Sequence, residues 1–196
     1  MALTKGKTKM KLKFATLFVV ASLAVSALAN QGQDKMDNPM VGGAAMMRTT
    51  DIVGNAINSP DHTTLVAAVK AAGLVDALRG KGPLTVFAPT NAAFKLLPDG
   101  TVDTLVKPEN KEMLTKILTY HVVAGMYDSK AIKAGIRKGN GSFTVKALSG
   151  GTLTFMMNGP MNIVVKDEKG GIASISTYDV YQSNGVIQVI DKVLMP

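Results

Sequence analysis

The chain predicts an α+β domain, with helices first and antiparallel strands after, and three observations carry that expectation. Apolar residues recur at helical spacing between residues 61 and 121, and from residue 143 onward they alternate with polar ones. Gly-Gly and Asn-Gly pairs separate the alternating runs. No internal repeat is evident, so the 196 residues hold one folding unit and an appendage. With 46% apolar and 18% charged residues, the chain can build a real core and is too apolar for disorder throughout.

The appendage comes first. Lys5, Lys7, Lys9, Lys11 and Lys13 open the chain, and no acid precedes Asp34. Phe14 to Leu28 then runs without a charge, and Ala27-Leu28-Ala29 has the small-x-small spacing of a signal peptidase site. The apolar run is shorter than the ~20 residues that cross a bilayer. Residues 1–29 are therefore expected to be an export signal, cut between Ala29 and Asn30. Most of the net charge of +8 belongs to this leader. From Asn30 onward the charge is nearly balanced, so neither nucleic acid nor, once the signal is removed, a membrane is an expected partner. The product is expected in a periplasm or outside the cell. The chain has no Cys, which excludes disulfides and a lipidated cysteine and leaves the fold to packing alone.

Residues 30–47 show neither period and contain Pro39 and Gly42-Gly43, the composition of a flexible linker. Its methionines, Met36, Met40, Met46 and Met47, are soft thioethers of the kind that hold Cu(I). Adaptable apolar residues in a loose tail account for them more simply, and no metal site is assigned. The domain is expected over residues 48–196.

Within it, Asp61 is placed to cap a helix whose Leu65, Val69 and Ala72 share a face and which Gly73 ends. Leu74, Val75 and Leu78 open a further turn. Leu84 to Ala88 is short and β-prone, and Pro89 stops it. From Lys111 to Tyr120 the stripe Leu114, Ile117, Leu118 returns to helical spacing and meets His121 at i+7. Strands are predicted at 143–148, 152–157, 162–166, 172–178 and 186–190. The last two are joined by Asn184-Gly185, a hairpin signal because both residues accept positive φ.

Chemistry is limited by what is missing. A Cys nucleophile is impossible, and a Ser/His/Asp triad would need His62 or His121 as its base. His62 sits in a polar first turn, where an exposed surface residue is expected. No nucleophile elbow accompanies either histidine, and no phosphate loop is present. Neither a zinc nor a calcium ligand pattern occurs. The chain is read as no enzyme and as using no cofactor. Asn140-Gly141-Ser142 is a glycosylation sequon on a predicted loop.

Three segments carry a resemblance. Thr85 to Phe94 (TVFAPTNAAF), the Tyr120-His121 pair within ILTYHVV, and Ser183 to Asp191 (SNGVIQVID) resemble, in order, the first box, the Tyr-His motif and the second box of the fasciclin (FAS1) domain. The resemblance spans roughly residues 50–196. It implies a wedge of β-sheet with helices packed around it, and adhesion or surface binding as the work. Gln188 stands where many members have His.

Read physically, the first box is a strand-to-helix corner in which Thr90 accepts a backbone N–H, Asn91 opens the helix and Phe94 returns to the core. His121, continuing an apolar stripe, is expected as a buried imidazole with a backbone or hydroxyl partner, and Tyr120 as its structural companion. Asn184 and Gly185 are read as structural too. The family's Asp-Ile adhesion segment corresponds to Thr177 to Tyr181. Asp179, Val180, Tyr178 and Tyr181 are thus the candidate contact residues toward a protein or polysaccharide of a cell surface or matrix. The alternative function is carriage of an apolar small molecule such as a carotenoid or lipid, with Met156, Met157 and Met161 lining an adaptable groove.

Overall fold

A computed structural model describes residues 38–196. The predicted leader, with its cut between Ala29 and Asn30, lies outside the described residues, as does Met36.

The first departure from expectation is the linker. Met40–Val41 (β1) and Ala44–Ala45 (β2) pair antiparallel across Gly42 and Gly43, both at positive φ. Ser59 Oγ donates to the Val41 carbonyl at 3.2 Å. Val41 and Met46 are buried. Residues 40–46 therefore form a short strap packed on the domain. A two-residue strand is too short to show a period, so its glycine turn reads as linker composition. Met46 is a core side chain, whereas Met40 and Met47 are exposed.

Helix α1, Ile52–Asn58, is capped by Asp51, whose carboxylate accepts the Gly54 N–H at 2.7 Å. Helix α2, Thr63–Ala72, presents Leu65, Ala68, Val69 and Ala72 to the core and ends at Gly73 in the left-handed region. Its cap is not Asp61, which lies in a 3₁₀ turn, Pro60–His62, without a capping hydrogen bond. Asn91 does that work from across the fold. Its Oδ1 accepts the Thr64 N–H at 3.0 Å, while its Nδ2 donates to the Pro60 carbonyl and Thr63 Oγ1. Helix α3, Val75–Arg79, comes next, then strand β3, Leu84–Pro89.

At the corner after β3, Thr90 Oγ1 accepts the Ala93 N–H at 3.2 Å and starts α4, Asn91–Lys95. Ala93 fills the fully buried place there, and Phe94 is half-buried against the helical core. Helix α5 is Thr101–Leu105, helix α6 is Lys111–Tyr120, and strand β4 is Val122–Ala124. Helix α7, Ser129–Lys138, carries Ile132 and Ile136 at i and i+4 on its buried face and is capped by Asp128. Strands β5 to β9 are Ser142–Lys146, Thr152–Asn158, Asn162–Lys166, Ile172–Gln182 and Gly185–Ile190.

The strands form a seven-stranded sheet in the order β4-β3-β9-β8-β7-β6-β5. Its edges approach each other through the Val123–Ala147 bridge and the Leu148 N–H to Val122 carbonyl bond of 2.8 Å, so the sheet is nearly closed. One pairing breaks the antiparallel expectation: β3 and β9 run parallel, Leu84 opposite Gly185 to Pro89 opposite Ile190. Both strands are covered on two faces, which explains their continuous apolar runs. Val86, Ala88, Ile187 and Val189 face a helical core shared with α1, α2, α3 and α6. Phe87 and Ile190 face a second core inside the sheet, with Phe155, Leu153, Ile163, Val165 and α7. The α+β expectation and its wedge of sheet surrounded by helices therefore hold.

The β8–β9 hairpin forms, but for another reason than the one predicted. Gln182 pairs with Gly185, so the turn residues are Ser183 and Asn184, and neither Asn184 nor Gly185 has positive φ. Gly185 is required because a Cβ there would overlap the Leu84 carbonyl oxygen across the parallel pair.

Candidate functional site

Asn184 shows what the last box is for. Its Oδ1 accepts the Ile52 N–H at 3.0 Å, satisfying the start of α1, and its Nδ2 donates to the carbonyls of Leu78 at 2.8 Å and Gly80 at 3.2 Å, at the end of α3. One amide thus ties the hairpin to two helix termini whose backbone groups have no partner within their helices. A companion amide, Asn55, is fully buried in α1. It accepts the Met47 N–H at 3.0 Å and donates to the Met47 carbonyl at 2.7 Å and to Gln182 Oε1. Sequence reasoning missed Asn55, although a lone amide within Ile52-Val53-Gly54-Asn55-Ala56-Ile57 was the available signal.

The predicted contact segment is folded inward. Asp179 occupies an irregularity of β8, at φ 57°. Its carboxylate accepts the Ser129 N–H at 2.6 Å, the Ser129 hydroxyl and Gln188 Nε2 at 2.9 Å. Gln188 Oε1 in turn accepts the Asp179 N–H at 3.1 Å, and its Nε2 also reaches the Tyr127 carbonyl at 3.2 Å. At Gln188 a fully buried amide thus supplies both a donor and an acceptor. Asp179 also stands at the N-terminus of α7, where negative charge is favoured. Val180 is fully buried and belongs to the helical core, so it offers no surface contact in the folded chain. The Tyr178 hydroxyl accepts the Ile163 N–H at 2.9 Å. Tyr181 donates to Asp128 Oδ2 at 3.1 Å, and the Arg48 guanidinium lies 4.7 Å over its ring. Burial and the Asp128 carboxylate push the Tyr181 hydroxyl above its ordinary pKa.

Tyr120 and His121 turn away from solvent. The Tyr120 hydroxyl donates to the Thr152 carbonyl at 2.6 Å and accepts the Glu168 N–H at 3.0 Å, which joins α6 to the sheet. Burial pushes its pKa up to about 12. His121 is 2% exposed. Its Nδ1 contacts the Ile117 carbonyl at 2.8 Å, and its Nε2 receives the Leu194 N–H at 2.9 Å. That pairing requires a neutral ring protonated on Nδ1, and burial lowers its pKa to about 4. The expectation of a buried imidazole with a backbone partner is met.

His62 departs from expectation. It is 3% exposed rather than on the surface, its Nδ1 lies 2.9 Å from Ser59 Oγ, and its Nε2 has no partner among the described residues. Desolvation lowers its pKa. Ser59 is itself buried beneath the strap and donates to Val41, so the pair closes a corner and exposes no nucleophile. The described residues contain no cluster of acids and histidines suited to a metal ion. They also contain no helix long and apolar enough to cross a membrane.

The concave apolar site lies elsewhere. A cavity of about 210 Å³ sits in the helical layer, between α1, α2, α3 and α6 over β3. Leu65, Val69, Leu78, Leu118 and Val122 form its walls, and Ile57 and Leu148, 46% and 52% exposed, stand where it reaches the surface. Met156, Met157 and Met161, predicted to line a groove, do not line this cavity. Met157 packs against the sheet interior and Met161 is 68% exposed. The wall residues were legible as helix stripes, but an opening between stripes depends on how four elements meet and leaves no periodic trace.

Comparison with known proteins agrees with this architecture. The sequence model of the fasciclin domain matches residues 60–196. The protein sll1483 of Synechocystis sp. is 46% identical over 159 residues, covering 80% of this chain and 79% of that protein. The immunogenic protein MPB70 of Mycobacterium bovis is 40% identical over 146 residues, covering 72% of this chain and 66% of that one. The cell surface glycolipoprotein MPB83 of the same species is 34% identical over 160 residues, covering 79% and 64%. Among solved structures, a FAS1 domain pair from the insect cell adhesion molecule fasciclin I superposes with a TM-score of 0.66. It shares 19% identity and covers 75% of this chain and 51% of that one.

Proposed function

The chain belongs to the fasciclin domain family, and from that premise we propose that it is an exported protein that binds protein or polysaccharide of a cell surface or matrix without catalysis. The observation that carries this reading is its likeness, over most of its length, to a mycobacterial cell surface glycolipoprotein. The reading includes an export signal at residues 1–29 cut between Ala29 and Asn30, and a periplasmic or extracellular location. Its non-catalytic part is supported by the burial of both imidazoles, His62 and His121.

The inward anchoring of Asp179 and Val180 leaves, as the proposed contact surface, the flank formed by the partly exposed Tyr181 ring under Arg48, next in the chain to the exposed Met47. In this reading Asp179 and Tyr178 hold that flank in place. The test is binding of the exported protein to cells or biofilm, compared with a Tyr181→Ser/Arg48→Ser variant. The expected result is lost binding with little change in melting temperature; full binding by the variant contradicts this surface.

A second reading, carriage of an apolar small molecule, is favoured by the cavity of the helical layer. It makes no use of the Tyr181 flank.

A further inference from the structure

Resting on this second reading, we infer that the helical-layer cavity takes the hydrocarbon chain of an amphiphile with an anionic head group, and that Lys70 holds the head at its rim. The walls are mainly aliphatic, with Phe87, Thr119 and the neutral His121 ring also lining them, and they come from elements distant in sequence, so the space results from the way α1, α2, α3 and α6 meet over β3. At about 210 Å³ it exceeds the ~150 Å³ apolar cavities that take up benzene in other proteins. Ile57 and Leu148 are large apolar residues left half-exposed at its edge, a cost that a bound chain would remove by covering them.

Charge at the rim selects the head group. The charged residues lining the cavity are Lys70 and Arg79, and no Asp or Glu lines it. Arg79 is partly engaged, its Nε 3.9 Å from Asp51 Oδ2. Lys70 lies in the last turn of α2, is exposed, and projects from the same helix that supplies Leu65, Val66 and Val69 to the wall. A carboxylate on an alkyl chain matches this layout: the chain is desolvated between helices while the head stays at the water boundary beside an ammonium. A neutral hydrocarbon would fill the cavity and leave the cationic rim unused.

The test uses cis-parinaric acid, whose fluorescence rises in apolar surroundings, and its methyl ester. The exported protein is titrated alongside Val66→Trp, which fills the half-buried wall, Lys70→Glu, and Met161→Ala as a distant control. Saturable binding of the acid is expected, with the ester weaker by about tenfold or more. Val66→Trp should abolish binding of both probes. Lys70→Glu should weaken the acid by about tenfold and leave the ester unchanged. Met161→Ala should change neither. If acid and ester bind equally and Lys70→Glu is silent, the anionic head is refuted while carriage survives. If neither probe saturates, or Val66→Trp binds like the parent, both the inference and the carriage reading fail.

Discussion

The two sides of the β3–β9 pair differ in kind. Inside the sheet, Phe87, Phe155 and Phe143 form a tilted aromatic series with centroids 5.2 and 6.1 Å apart, and many neighbours there are fully buried. On the helical side the core is aliphatic, is sealed at its corners by amides and the buried His62, and keeps an open cavity. The same two strands serve both, Phe87 facing one side and Val86 and Ala88 the other. Aromatic rings pack within the nearly closed sheet, whereas helices meeting at several angles leave a gap between them. The interior is thus the more tightly filled side, and the open space lies in the layer outside it.

The comparison is strained most by removing an interior ring. Phe155→Ala is expected to cost about 3–5 kcal/mol, read as a lowered denaturation midpoint; a cost under about 1 kcal/mol would mean the interior is not the tighter core. Acid comes next. With a folded value of about 4 against 6.5 when unfolded, His121 takes up a proton more readily in the unfolded chain. Its contribution is fully present above about pH 6.5 and falls away toward pH 4, on the order of 3 kcal/mol in all. His62 shifts in the same direction. Denaturation at pH 7 and 4.5 should show this loss, and His121→Gln should flatten it.

The corner amides are expected to matter less. Asn184→Ala leaves the Ile52 N–H and the Leu78 carbonyl without this partner and should cost about 1–3 kcal/mol. Asp179→Asn weakens the bonds to Ser129 and should cost about 1–2 kcal/mol, placing Asp179 among residues that hold the fold. A fully stable Asp179→Asn variant that no longer binds cells would return that side chain to the contact surface. The smallest effect belongs to Val66→Trp, within about 1 kcal/mol of the parent if the cavity has room.

Much of this division was legible in the sequence. The continuous apolar runs of β3 and β9, the helical stripes, and His121 at the end of one of them all fell where the structure has them. What escaped shares a cause: the partner is remote in sequence. Asn91 caps α2 in place of Asp61, Gly185 is required by Leu84, and Asp179 is drawn inward by Ser129 and Gln188. His62 looks polar in its local sequence, and only the strap over Ser59 encloses that corner. Composition directs attention to the methionines in and after β6 and away from the cavity, because it signals adaptable side chains but not where a gap lies.

Methyl NMR with cis-parinaric acid tests the division most directly, since both regions are observed in one sample. The expected result is saturable shifts at Ile52, Ile57, Leu65 and Leu118, with Ile163, Val165 and Ile175 unmoved. Shifts centred on the sheet interior, or no saturable shift in either region, would contradict it.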